Sequence, residues 1–151
     1  MSGRIKAHLS TVVNRPPEDV FAYLADVSTH AEWSPKAYRV EGLDGPVQLG
    51  TTFTSYGWVP KDADHRNDVE VTEFDAPRTI EFTGREKGED FLNTYVLTAQ
   101  GGGTRIDRTL DFPKPDGIGG VFFPLVLGGF IKPATNKGMK MLKANLENGI
   151  S

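Results

Sequence analysis

The order of strand-like and helix-like stretches is the clearest pattern in this chain. Residues 4–13 are strand-like, with β-branched residues at their end, and Pro16 and Pro17 stop the stretch. Proline is favoured in the first turn of a helix, and Glu18 and Asp19 place negative charge where the helix dipole stabilises it. The pattern therefore predicts a short helix directly after the first strand.

A second short helix is predicted immediately after the first. It begins near Ser28 or Thr29, because Thr29 and Glu32 have the spacing of a capping box. It ends at Trp33, because Pro35 disfavours helical backbone in the residue before it.

Six further stretches have the character of short strands separated by turns. Each break between them contains glycine, proline or aspartate, which favour tight turns. Alternation of apolar and polar residues within several stretches predicts one buried and one exposed face. With residues 4–13 they make seven antiparallel strands, the later six over residues 37–43, 51–59, 66–74, 78–86, 90–99 and 103–112.

The C-terminal stretch, residues 118–149, has helical periodicity. Pro133 is unfavourable inside a helix and predicts either a kink or a late start. A sheet that is opened by a helical pair and closed by one long helix predicts an α+β helix-grip, in which the sheet curls around the helix and leaves room for a cavity. The predicted inward face of that helix comprises Phe130, Ile131, Ala134, Gly138, Met141, Leu142 and Asn145.

Length and composition narrow the functional classes. The 151 residues fit one domain over positions 1–151. The chain has no cysteine, which excludes disulfides, thiolate nucleophiles and cysteine-bound metals and fits a reducing compartment. Since the N-terminus also lacks the pattern of a signal peptide, we expect a cytoplasmic protein. The net charge is −3 and the basic residues are scattered, so we expect no nucleic-acid partner.

The most apolar run covers residues 121–131. It is far shorter than the ~20 residues that cross a bilayer, and Pro124, Gly128 and Gly129 interrupt it, so we expect no stable membrane insertion. The favoured interpretation is a loop packed against the rim of the sheet. A mobile lid hinged at the two glycines, or an edge that touches a membrane, remains the alternative.

No motif for a metal, a cofactor or a nucleophile is present. The three histidines, His8, His30 and His65, are far apart and lack the spacing of metal ligands. No serine lies in a G-x-S-x-G elbow, and the glycines at 101–103 fit a hairpin turn rather than a phosphate loop. We therefore expect neither a metal site nor a cofactor.

Aromatic residues and one arginine are the candidate ligand contacts. Strict alternation places Arg108 on the same strand face as Ile106, Leu110 and Phe112, so its guanidinium is predicted to point inward. A buried guanidinium needs partners, and it could either anchor a ligand or pair with a carboxylate for structure. Asn93 and Tyr95 share a face of the preceding strand, and the hairpin to residues 103–112 could bring both near Arg108. The candidate ligand-binding set is Arg108, Tyr95, Asn93, Tyr56, Trp58, Trp33, Phe82 and Phe130.

Five short segments resemble the START-like (SRPBCC) superfamily, and within it the group described as polyketide cyclase/dehydrase and lipid transport. The resemblance covers nearly the whole chain and implies the helix-grip fold, but these segments mark structure rather than activity. They are Pro17-Glu18-Asp19-Val20-Phe21 with Leu24 and Asp26, Trp33-Ser34-Pro35, the run from Val69 to Pro77, Gly101-Gly102-Gly103-Thr104-Arg105, and the final helix with Leu142, Leu146 and Glu147.

Three functional hypotheses follow from this pattern and this resemblance. The favoured one is binding of a hydrophobic or aromatic small molecule, lipid or polyketide-like, in the central cavity. The second is a metal-free aromatase/cyclase-like enzyme in which an arginine and a tyrosine polarise the substrate. The third is a regulatory or interaction protein with a filled cavity, and the chain is expected to be a monomer or a homodimer in each case.

Overall fold

Seven antiparallel strands form one curled sheet in the computed structural model, which describes residues 4–34, 38–43, 45–57, 64–86, 88–113, 117 and 124–148. The first strand pairs with the last, and the other neighbours follow chain order, so the sheet runs β1-β7-β6-β5-β4-β3-β2. The bounds are Arg4–Val13 for β1, Tyr38–Glu41 for β2, Thr52–Gly57 for β3, Arg66–Asp75 for β4, Thr79–Glu86 for β5, Glu89–Gln100 for β6 and Gly103–Pro113 for β7. The predicted fold class is confirmed.

Helical segments cover one face of the sheet. The helix α1 spans Pro17–Ala25, with proline in its first turn, and a 3₁₀ helix spans Val27–Glu32. The expected capping box in the second segment is wrong. Thr29 Oγ1 instead donates to the backbone oxygens of Tyr23 and Asp26, at 2.9 and 2.8 Å. The hydroxyl thus bonds to carbonyl groups at the end of the preceding helix rather than to N–H groups at the start of its own helix.

The C-terminal helix, α2, spans Lys132–Glu147 and follows a π-helical turn over Leu127–Ile131. Pro133 directly follows the π turn inside a helical backbone that runs from residue 124 to residue 147, so the predicted late start is wrong. Residues 124–131, the described part of the stretch expected to be a loop, are therefore helical. The inward face differs from the predicted one, because Met139 and Leu146 are buried where Met141 and Asn145 were expected. A π turn holds more residues than an α turn, so a periodicity counted from Phe130 loses its phase before it reaches α2.

Side-chain size changes along the buried stripe of α2. The first half buries Ala134, Thr135 and Gly138, whereas the second half buries Met139, Leu142 and Leu146. The large residues fill the space over the sheet at the C-terminal end of the helix. The small ones leave space between the helix and the sheet at its N-terminal end.

Polar contacts fix the C-terminal end of α2 to the start of the chain. Asn145 Nδ2 donates to the Tyr23 hydroxyl at 3.1 Å, and that hydroxyl donates to Glu32 Oε1 at 2.9 Å. Burial of Tyr23 raises its pKa to about 12, so the hydroxyl keeps its proton and its role as donor. The Arg15 guanidinium donates to the backbone oxygen of Leu146 at 3.0 Å. These contacts hold one end of the helix in place.

Strand β7 shows the predicted alternation, with every second side chain on the concave face of the sheet that faces the helix. Thr104, Ile106, Arg108 and Phe112 are buried on the concave face, and Leu110 is half-buried between them. In the sheet Arg108 is the partner of Tyr95 in β6 and of Leu9 in β1. The inward register predicted for Arg108 is therefore the register observed.

Two methionines of α2 provide a matched test of its orientation. Met139→Ala should lower the free energy of unfolding by about 2–5 kcal/mol, because the side chain is 3% exposed within the core. Met141→Ala should cost clearly less, because Met141 is only partly buried at the edge of the core. Urea denaturation of both variants measures the difference. Equal losses, or a larger loss at Met141, would contradict the observed helix face.

Candidate functional site

A cavity of about 540 Å³ lies between the concave face of the sheet and the N-terminal half of α2. Residues of β2 to β7 and of the 3₁₀-helix region form most of its wall, and Ile131, Thr135 and Gly138 close it from the helix side. Its volume falls in the range of small-molecule sites. The Thr135 hydroxyl donates to the Ile131 oxygen at 2.7 Å, so it presents mainly its methyl group to the surroundings.

Arg108 is the central polar residue at one end of this cavity, which we name the arginine end. Its side chain lies on Tyr95, with the guanidinium carbon 5.0 Å from the ring centroid, and 5.7 Å from the ring centroid of Trp33. Such contacts stabilise a cation where water is scarce. Arg108 Nε donates to Asn93 Oδ1 at 2.9 Å, and Asn93 Nδ2 donates to the Tyr95 hydroxyl at 3.3 Å.

The guanidinium of Arg108 has unused donors. In the part of the chain that the structure describes, no carboxylate pairs with it and Asn93 is its sole hydrogen-bond partner. Arginine has five N–H donors. The fully buried side-chain atoms without a partner among the described residues are Trp33 Nε1 and Asn67 Oδ1, so the unbonded guanidinium nitrogens retain access to the cavity. The alternative of an arginine paired with a carboxylate for structure finds no support in these residues.

His30 packs beside the arginine end as a neutral imidazole. Its Nε2 donates to the Leu24 backbone oxygen at 2.8 Å, and its ring contacts Trp33 and Phe82 at centroid distances of 5.0 and 5.5 Å. Burial is the main cause that lowers the pKa of His30 to about 4, and the positive charge of Arg108 contributes to the same shift. The histidine is therefore uncharged at neutral pH.

Two tyrosines at the arginine end also remain protonated. Burial raises the pKa of Tyr38 to about 12, and burial raises that of Tyr95 as well, although Arg108 opposes the shift. The sequence analysis did not identify His30 or Tyr38 as site residues. The position of His30 three residues before Trp33, on one helical turn, was the available signal.

The opposite end of the cavity, named here the hairpin end, lies where β5 turns into β6. It contains Glu86 and Glu89, which are partners across the two strands. His65 Nε2 lies 3.0 Å from Glu86 Oε1. Asn67 lies against Gly84, where an added Cβ atom would force the asparagine side chain to shift. None of these residues was in the predicted site.

Most of the predicted ligand contacts meet at the arginine end. Arg108, Tyr95, Asn93, Trp33 and Phe82 all line the cavity. Whether they contact a ligand stays a prediction, since location alone does not test binding.

Three residues of the predicted set lie elsewhere. The side chain of Tyr56 points away from the concave face, because Phe53, Ser55 and Gly57 occupy the inward positions of β3. Its ring lies 4.2 Å from the guanidinium carbon of Arg39, and we remove it from the site. Phe130 precedes the lining residue Ile131 but is not itself a lining residue. Trp58 lies outside the described residues.

The described residues contain neither a metal-binding cluster nor a membrane-spanning helix. The described part of the chain contains no group of three or more His, Cys, Asp or Glu side chains arranged to hold a metal ion. No helix within the described ranges has both the length and the apolar character needed to cross a membrane.

Comparison with known proteins identifies the family. The sequence profile of the family described as polyketide cyclase / dehydrase and lipid transport matches residues 4–147. The chain belongs to this family. The resemblance noted in the sequence is therefore confirmed. No curated protein matches the sequence.

Solved structures share this fold at low sequence identity. A protein from Arthrobacter aurescens superposes with a TM-score of 0.73 at 15% identity, covering 97% of this chain and 88% of that chain. A protein from Chromobacterium violaceum has a TM-score of 0.71 at 19% identity, covering 94% and 97%. Norcoclaurine synthase from Thalictrum flavum, in complex with dopamine and hydroxybenzaldehyde, has a TM-score of 0.72 at 14% identity, covering 99% and 90%. At these identities the likeness concerns the fold.

The neutral state of His30 predicts a pH-dependent stability. Its pKa is about 4 in the folded protein against an ordinary value of 6.5, so the unfolded chain takes up the proton first as the pH falls. The contribution is present above the unfolded pKa and is lost between about pH 6.5 and about pH 4. The loss amounts to about 2 kcal/mol between pH 7 and pH 5.

His30→Gln keeps a donor for the Leu24 oxygen and removes the titration. Urea denaturation at pH 7 and pH 5 should therefore show a smaller pH-dependent loss in this variant than in the wild type. His8→Gln serves as control, because the His8 side chain is 56% exposed. The same pH dependence in all three proteins would contradict a buried, neutral His30.

Proposed function

We propose that the protein binds a hydrophobic or aromatic small molecule, lipid or polyketide-like, in the cavity between the sheet and α2. The observation that carries this proposal is the cavity itself, with its largely apolar wall and a few polar groups at each end. That combination is typical of small-molecule sites, where apolar surface gives affinity and a few polar groups fix orientation.

The aromatic residues of the wall favour a flat ligand. Phe82 makes edge-on contacts with Phe53, His30 and Tyr95, at centroid distances of 6.2, 5.5 and 6.4 Å. Trp33 makes a similar contact with Tyr95. The family and the aromatic compounds present in the norcoclaurine synthase complex support the same class of ligand.

Cyclase-like catalysis is the second candidate function. The observation in its favour is the adjacency of Arg108, Asn93 and Tyr95, which could polarise a carbonyl and hold an enol. A base that works near neutral pH is needed as well. At the arginine end the pKa of His30 is about 4, which makes it a weak base, and we therefore rank binding above catalysis.

The third hypothesis, an interaction protein, would be favoured by a filled interior. The cavity of about 540 Å³ favours a binding function instead.

Filling the cavity tests the proposal. Leu110 is half-buried on the cavity wall, and Leu110→Trp places an indole in the space that a ligand would occupy. We expect the variant to fold and to lose at least 10-fold in affinity for the neutral fluorescent probe N-phenylnaphthylamine, measured by its emission on titration. A tenfold loss corresponds to about 1.4 kcal/mol.

Val96→Trp is the matched control. Val96 lies one position from Tyr95 on the opposite face of β6 and is 40% exposed, so an indole there leaves the cavity unchanged. Its probe affinity should equal that of the wild type. Absence of probe binding to the wild type, or equal binding by both tryptophan variants, would overturn the proposed function.

A further inference from the structure

The two ends of the cavity differ in the sign of their charge. At the arginine end, among the described lining residues, Arg108 carries the sole formal charge, since His30 is neutral and the tyrosines are protonated. At the hairpin end the lining carboxylates are Glu86, which contacts His65 Nε2 at 3.0 Å, and Glu89. A bound molecule therefore meets a positive end and an acidic end.

The ends are separated by a distance that a small amphiphile can span. Phe82 contacts Tyr95 at the arginine end, and Glu86 lies four residues further along the same strand. At the rise of a β-strand, four residues extend about 13 Å. The apolar wall between the two ends includes Phe53, Val69 and Phe91.

The hydrogen-bond pattern at the arginine end leaves donors in excess. Asn93 Oδ1 accepts from Arg108 and is thus occupied, while the Tyr95 hydroxyl accepts from Asn93 and keeps its own proton for donation. The remaining guanidinium N–H groups have no acceptor among the described residues. Trp33 lines the cavity, but its Nε1 is fully buried and does not face an incoming ligand, so the guanidinium N–H groups are the donors that count here. An incoming acceptor would fill this deficit.

We propose that the ligand is an organic acid, bound with its carboxylate on Arg108 and its apolar body extending toward the hairpin end. This inference rests on the proposed function and assigns to that site a charge class and an orientation. A carboxylate suits the planar donor fork of arginine, and such charge-assisted hydrogen bonds are about twice as strong as neutral ones. An ammonium group at the same place would be repelled by Arg108.

Three matched ligands test the charge class on the wild-type protein. Naphthylacetic acid, naphthylethanol and naphthylethylamine share an aromatic body and differ in the charge of the head group. Each is used near neutral pH to displace bound N-phenylnaphthylamine. We expect the acid to bind at least 10-fold more tightly than the alcohol, and the amine to bind most weakly.

Variants on the two faces of β7 then test whether the preference for the acid depends on Arg108. Arg108→Met should remove the advantage of the acid while the alcohol keeps its affinity within about twofold, and Arg108→Lys should retain part of the advantage. Arg105→Met is the control, because Arg105 lies on the opposite face of β7, is 47% exposed and pairs with Asp107. It should leave all three affinities unchanged. Thermal unfolding of each variant confirms that the protein remains folded.

The outcomes separate this inference from the proposed function. Equal affinity of the wild type for the acid and the alcohol would overturn the acid assignment, while binding of the probe would leave the cavity function intact. If a folded Arg108→Met variant lost the same affinity for the acid as for the alcohol, the role of Arg108 would be structural. That result would also overturn the acid assignment. Failure of the probe to bind the wild type would overturn the proposed function, and the acid assignment with it.

Discussion

The packing of α2 on the concave sheet is the constraint on which the rest of the molecule depends. Leu142 and Leu146 fill the space at the C-terminal end of the helix, and the Asn145–Tyr23–Glu32 chain of hydrogen bonds fixes that end to the beginning of the fold. The other half of the helix presents Thr135 and Gly138 to the sheet. One helix thus closes the core and, through small side chains, also forms the roof of the cavity.

This arrangement explains how a charged side chain can lie inside the fold. A guanidinium that is buried without partners is costly, and 9% exposure places Arg108 well inside the protein. Its cost is reduced by contact with the Tyr95 ring, by the Asn93 hydrogen bond and by access to the cavity. The same features that make the charge tolerable leave it available to a ligand. The side chain that must be stabilised inside the fold is therefore also the one to which we assign the proposed ligand.

The sequence predicts the sheet well because period-two alternation and turn residues act locally. The inward register of Arg108 is predictable for this reason, since the apolar residues Ile106, Leu110 and Phe112 define the inward face of β7. Tyr56 was assigned to the site because β3 has a weak alternation, in which inward Ser55 is polar and outward Tyr56 is aromatic. The predicted buried face of α2 differs from the observed one because a hydrophobic pattern does not reveal the π-helical turn before the helix. The spacing of His30 before Trp33 is a weak local signal, and the contact between the rings of His30 and Tyr38 arises only from tertiary packing.

Mass spectrometry of the intact protein, purified from its own cells under non-denaturing conditions, tests the central claim most directly. The account predicts a small organic molecule of discrete mass that travels with the wild-type protein and is released on denaturation. Protein that carries no such molecule, and that acquires none when an organic extract of the same cells is added, would contradict the account.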